Sequence, residues 1–285
     1  MNYSKWNDPK NYARMTAELA ESAISETPIF AAGEDEHIEH SFVQHCMTSV
    51  DEIYDLLDDT DIAIIEEIAV AKYLNSLQIY EYITLRGYDV TRQRLRRRIL
   101  KLMKYHVIQE NEMVSFGFEH GLKYYELDYF GHTFAMESGV VFHMGNRYVS
   151  YSRRKEKGMS NNTPCDVKRI LVGNQIVLNL LMSNTQMQRF GIMETMRANN
   201  LEQAGEDCMI RTAANVRIDE ESVLAYEVVR DTPDSYEKLL NKIERYYNLV
   251  NNEEYLASNF HGDTAYPQIC LLYTSPSPRD GLLSR

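Results

Sequence analysis

Between Arg86 and Lys104 the chain carries eight lysines and arginines, at 86, 92, 94, 96, 97, 98, 101 and 104, against one acid, Asp89. The local balance is +7 in a protein of net charge -12. Cations at this density attract a polyanion, and the phosphates of nucleic acid supply one. If residues 91–105 form a helix, Arg92, Gln93, Arg94, Arg96 and Arg97 project from its first two turns, where a helix enters a major groove. Lys101 and Lys104 lie further along, toward phosphates. A solvated basic face is the plainer reading of any such run, so the surrounding elements must decide. A second group, His37, His40, His45 and Cys46, has ligand-type side chains, but its spacing matches no tight metal site and solvated or capping histidines are expected.

The helix over 91–105 follows from Leu95, Ile99 and Leu102 recurring at i, i+4 and i+7, with Thr91 as N-cap and Val90 packing back on the first turns. Two helices are expected before it, at 62–74, with Ile65, Ile68, Ala69 and Tyr73 in register, and at 77–85; Gly87 marks the turn. Strand-like runs at 107–116 and 122–129 follow, joined by the Gly-bounded GFEHG. Three helices and a two-stranded hairpin make a winged helix. From LRGYDVTRQRLRRRILKLMKYHVI through LKYYELDYFGHTFA the chain resembles the winged helix-turn-helix superfamily. The resemblance implies that Arg92, Gln93, Arg96 and Arg97 face base edges, and that Lys123 or His120 in the wing meets the DNA backbone.

Residues 1–61 hold three basic residues (Lys5, Lys10, Arg14) and fourteen acids, a balance of -11. This acidic arm is expected to be helical, around 12–25 and again where Val43, Met47, Val50, Tyr54 and Leu57 share one face, with a break at Thr27-Pro28 and the acidic GEDEHIEH between. Such an arm can dock on the basic helix and compete with DNA. Residues 142–164 form a basic linker, with Arg147, Arg153, Arg154, Lys155 and Lys157, and with Tyr148 and Tyr151 able to stack or pack.

From 165 to 250 the pattern changes to a helix at 167–182, a strand at 189–196, strands at 208–218 and 222–229 with a turn at Asp219-Glu220, and a helix at 236–249. This order, with VLAYEVVR running into the last helix, is similar to the restriction-endonuclease-like fold. With the upstream winged helix, residues 62–250 resemble the replication-relaxation family of plasmids and mobile elements. Such nucleases need an Asp on one strand and Glu-x-Lys on the next, since two carboxylates hold Mg²⁺ and the lysine positions the attacking water. Here Glu227 is present, but Val229 stands at the lysine slot and Thr212-Ala213 at the Pro-Asp position. Asp219 or Glu194 is left as a displaced carboxylate and Lys238 or Lys242 as a lysine reaching in from the helix. The expectation is a degenerate domain in which Glu227 pairs with Arg230 or a helix lysine, without cofactor. Mg²⁺ enters only if cleavage runs on Glu227, Asp219 and Lys242.

The fold class expected is α+β: an acidic helical arm (1–61), a winged helix domain (62–141), a basic linker (142–164) and a small α/β restriction-endonuclease-like domain (165–250). Residues 251–269 read as a truncated C-terminal region. Residues 270–285, CLLYTSPSPRDGLLSR, resemble a translated sequencing adapter and are set apart from the fold. Apart from Cys270, three scattered cysteines (46, 165, 208) suggest reduced thiols, and no apolar run of about 18 residues or signal-peptide core appears. The expected protein is cytoplasmic and bacterial, acting on double-stranded DNA in replication, transfer or transcriptional control of a plasmid or mobile element. The alternatives are a Mg²⁺-dependent nuclease using Glu227, or an interaction module recruiting replication or transfer proteins.

Overall fold

The computed structural model describes residues 34–41, 50–116, 121–140, 163–197, 209–219, 222–229, 235–251 and 267–273. The chain is α+β and divides into two compact units, one holding Gly33–Thr185 and the other Gln186–Arg285.

The first unit contains β1 (Glu34–His40), α1 (Val50–Leu56), α2 (Asp59–Ala71), α3 (Ser76–Leu85), α4 (Arg92–Lys104), β2 (Ile108–Phe116), β3 (Leu122–Leu127), α5 (Tyr129–Glu137) and α6 (Pro164–Met182). Local chemistry starts each main helix. Asp58 caps α2 by accepting from the Thr60 and Asp61 amides, Asn75 caps α3 through Gln78, and the Thr91 hydroxyl accepts from the Arg94 amide at the head of α4. Gly87, at φ +92, takes the left-handed turn between α3 and α4. The buried faces of these helices, Ile64, Ile65 and Ile68, Ile79 and Ile83, and Leu95, Ile99 and Leu102, meet Ile108, Tyr125 and Leu127 in one core. The sheet runs β1-β2-β3, antiparallel throughout, and Leu74 bridges to Tyr125 on the free side of β3.

Three features depart from the expectations. The acidic run, placed in a helical arm, forms β1 at Glu34–His40, because the open edge of β2 offers backbone groups that pair with any extended segment. Of the arm's helices, 12–25 lies outside the described residues, and of the second only Val50–Leu56 is described, as helix. The segment after β3 turns into α5 rather than lengthening the strand to 129; Gly131 lies so close to the Val107 carbonyl that a Cβ there would come within 2.1 Å of its oxygen. The helix at Pro164–Met182, counted in sequence with the second domain, belongs to the first unit. Gln78 Nε2 donates to the Leu171 carbonyl at 2.7 Å, Asn174 Nδ2 to those of Ala71 and Tyr73 at 3.1 and 3.0 Å, and the buried Lys168 pairs with Glu36 of β1.

The second unit contains β4 (Arg189–Ile192), β5 (Thr195–Arg197), β6 (Met209–Arg211), β7 (Ala214–Arg217), β8 (Val223–Val229), α7 (Ser235–Val250) and β9 (Pro267–Tyr273). Its main sheet is ordered β4-β7-β8-β9, with the first three antiparallel and β9 parallel to β8, so α7 lies on the connection between two parallel neighbours; β5 and β6 pair separately. The runs at 189–196 and 208–218 are thus each broken in two: Met193, at φ +51, turns the chain between β4 and β5, and Thr212-Ala213 separates β6 from β7. Residues Cys270–Tyr273, set apart as adapter-like, continue β9 beside Tyr226–Val229. Strand pairing is a backbone interaction, and the apolar CLLY satisfies it whatever its origin. Among the described residues no helix is long and apolar enough to cross a membrane.

Candidate nucleic-acid interface

Successive residues of a helix turn by about 100°, and burial divides α4 accordingly. Leu95, Ile99, Leu102 and Met103 are buried, and Gln93, Arg97, Leu100 and Lys104 form the opposite, exposed line. Arg96 flanks that line on one side; Arg94 and Lys101 flank it on the other.

The cations divide into two groups. Arg98 donates to Asp58 at 2.6 Å and to the fully buried Asp61 at 2.9 Å; Lys101 reaches the other Asp61 oxygen at 2.7 Å and the Leu56 carbonyl at 2.6 Å. Burial raises the Asp58 carboxyl, but hydrogen bonds from Arg98 and the Asp61 and Thr60 amides outweigh it and hold the group below the usual carboxylate range. Arg86 is taken up by Glu66 and Glu67, at 2.6 and 3.4 Å. Arg92 lies over the Tyr80 ring, 5.6 Å from its centroid, turned toward α3 and not along the outer line. Four of the eight, Arg94, Arg96, Arg97 and Lys104, are exposed and make no salt bridge among the described residues. Of the residues assigned to DNA from sequence, these four and Gln93 share one accessible face, whereas Arg92 and Lys101 are engaged within the fold.

Lys123, assigned to the phosphate backbone, pairs with Glu110 at 3.0 Å and approaches Glu112 at 3.9 Å. Glu110 also accepts from the Tyr125 hydroxyl at 2.8 Å and the Ser41 hydroxyl at 3.0 Å. Burial raises its carboxyl, and these three donors more than offset that and leave it below the usual range. The strands β1 to β3 hold seven acids (34, 35, 36, 39, 110, 112, 126) against Lys123, so the sheet carries -6 beside a basic helix. His120 and the linker basics lie outside the described residues, as do His45 and Cys46. His37 bonds to Glu39 at 3.1 Å and His40 to Asn111 at 2.5 Å.

In the second unit the 4% exposed Glu227 pairs with Lys242 at 2.7 Å, and Lys242 also donates to the Arg211 carbonyl at 3.2 Å. The helix-lysine partner was legible in sequence as one of several. The register Ala214↔Tyr226 sets the buried Ala213 opposite Glu227. Asp219 lies beyond the far end of β7, six residues on, or roughly 20 Å at about 3.3 Å per residue. Glu194 pairs with Arg189 at 2.9 Å. The structure therefore joins Glu227 with Lys242 and leaves Asp219 apart, and among the described residues no three His, Cys, Asp or Glu side chains gather as a metal site.

Sequence reasoning passed over Leu100. Its signal was an apolar residue outside the 95, 99, 102 register, and it is 47% exposed in the middle of the basic line. Compared with known proteins, the chain matches no family model, no curated sequence and no solved structure.

Proposed function

We propose that the first unit is a winged helix that binds double-stranded DNA with α4 in the major groove, and that it serves replication, transfer or transcriptional control of a plasmid or mobile element. One observation carries the DNA reading: Arg94, Arg96, Arg97 and Lys104, without salt bridges among the described residues, share the exposed side of a helix whose other side is fixed in a core. The order of α2, α3, α4, β2 and β3, with Leu74 bridging to Tyr125, supports the winged-helix part. The biological setting rests on the resemblance of residues 62–250 to replication-relaxation proteins. The acidic sheet argues for contact through α4 rather than through the hairpin, since carboxylates repel phosphates. Nuclease activity is not part of the reading, because Ala213 faces Glu227 and Asp219 stands far from it.

The test is selection of binding sites from random duplexes by the full chain, followed by anisotropy titration of the winning duplex. Arg97→Ala should lose about ten- to a hundredfold in affinity, the cost of one bidentate base contact. Equal affinity of variant and wild type, or no duplex binding at low salt, would remove α4 from the DNA.

A further inference from the structure

Leu100 is 47% exposed and stands between Arg97 and Lys104 on the outer line of α4, while the helix's own core is already filled by Leu95, Ile99, Leu102 and Met103. Within the first unit an exposed leucine there gains nothing from burial, and it separates cations that would otherwise form a continuous track for phosphates. The floor of the major groove offers one apolar group to such a side chain, the C5-methyl of thymine. We infer that Leu100 recognises a thymine methyl, which makes the ligand B-form DNA with a thymine at a defined position. Uracil lacks the methyl, and the deep, narrow major groove of an RNA helix does not admit side chains.

The helix fixes where that thymine stands. Gln93 lies on the same line seven residues earlier, about 10 Å away at about 1.5 Å per residue. A helix inclined in the major groove advances less than that along the duplex, where base pairs are about 3.4 Å apart, so the span is about two to three base pairs. An adenine read by the Gln93 amide through N6 and N7 should therefore lie about two to three base pairs from the thymine read by Leu100.

This inference rests on the DNA-binding reading, and the experiment separates the two. A duplex selected by the full chain is resynthesised with each thymine replaced in turn by uracil, which removes only the methyl, and affinities are measured for wild type and Leu100→Ala. One position should lose about fourfold on replacement, the worth of one buried methyl, and Leu100→Ala should bind the thymine and uracil forms of that position equally. The uracil scan on the unaltered chain requires no variant to fold, and circular dichroism checks the variant. Tight duplex binding with every thymine replaceable, or a methyl effect that persists in Leu100→Ala, overturns the role of Leu100 and leaves the DNA reading intact. Failure of the wild-type chain to bind any duplex overturns both.

Discussion

Glu81 on α3 is 3% exposed, and among the described residues neither carboxylate oxygen accepts a well-formed hydrogen bond. Burial pushes its carboxyl up to about 7, with the Gln175 amide of α6 and the Arg92 guanidinium of α4 pulling the other way. Glu67 is raised to about 7 as well, by burial, with the Arg86 charge opposing and the Glu66 charge adding to it. Both groups therefore keep a proton in the folded state at pH values where the unfolded chain has released it. Their contribution to stability is fully present below the ordinary glutamate range and is lost as pH rises through about 7. Asp58 and Glu110, held below the usual range, act oppositely and lose their contribution only in acid. Thermal melts should accordingly fall between about pH 5 and pH 8, and Glu81→Gln should raise the alkaline end and flatten the curve. A variant whose melting profile runs parallel to wild type would show that Glu81 is not the titrating group.

At the scale of elements, Gly131 lies in α5, where glycine normally costs a helix about 1 kcal/mol against alanine. Here the sign should reverse, because a Cβ would meet the Val107 carbonyl oxygen at 2.1 Å and the obstacle is backbone rather than a movable side chain. Gly131→Ala is expected to destabilise by roughly 2–3 kcal/mol in urea unfolding; a gain would mean that α5 does not pack on the strand as described. That same glycine explains why α5 was hidden in sequence: a weak helix former stands where packing, not propensity, decides. The period of 3.6 gave α2, α3 and α4 to within a few residues, and Thr91 was recognisable as a cap. The strand at EDEHIEH was not legible, since it exists through pairing with β2, more than 70 residues away in sequence. Nor was the place of α6, which is set by side-chain amides of Gln78 and Asn174 reaching distant carbonyls. The site divides in the same way. The cluster of cations could be counted directly, but which of them are engaged depends on Asp58 and Asp61, 37 to 40 residues upstream of Arg98 and 40 upstream of Lys101.

For the whole molecule, the proposed function poses the question of how a chain of net charge -12 would approach another polyanion. Long-range repulsion grows as salt is removed, while the attraction comes from a few cations at close range. Among the described residues, Arg94, Arg96, Arg97 and Lys104 are the cations on the α4 face that carry no salt bridge, so on the proposed reading at most four counterions would be released on docking. At about 0.9 per phosphate, the logarithm of affinity should fall with the logarithm of salt at a slope between about -3 and -4. Counting all eight cations of the Arg86–Lys104 stretch would instead give about -7. The engaged cations are what make the two numbers differ: Arg98 and Lys101 already share Asp61, and Arg86 is held by Glu66 and Glu67. Anisotropy titrations over a range of salt distinguish the two slopes. Lys104→Ala should lower the slope by about 1 while weakening selected and random duplexes alike, whereas Arg97→Ala should narrow the gap between them. A slope near -7 would mean that DNA frees all four engaged cations, drawing Arg98 and Lys101 from Asp61, Arg86 from Glu66 and Glu67, and Arg92 from the Tyr80 ring. The first unit would then have to leave the buried Asp61 carboxylate without its two cations in order to bind.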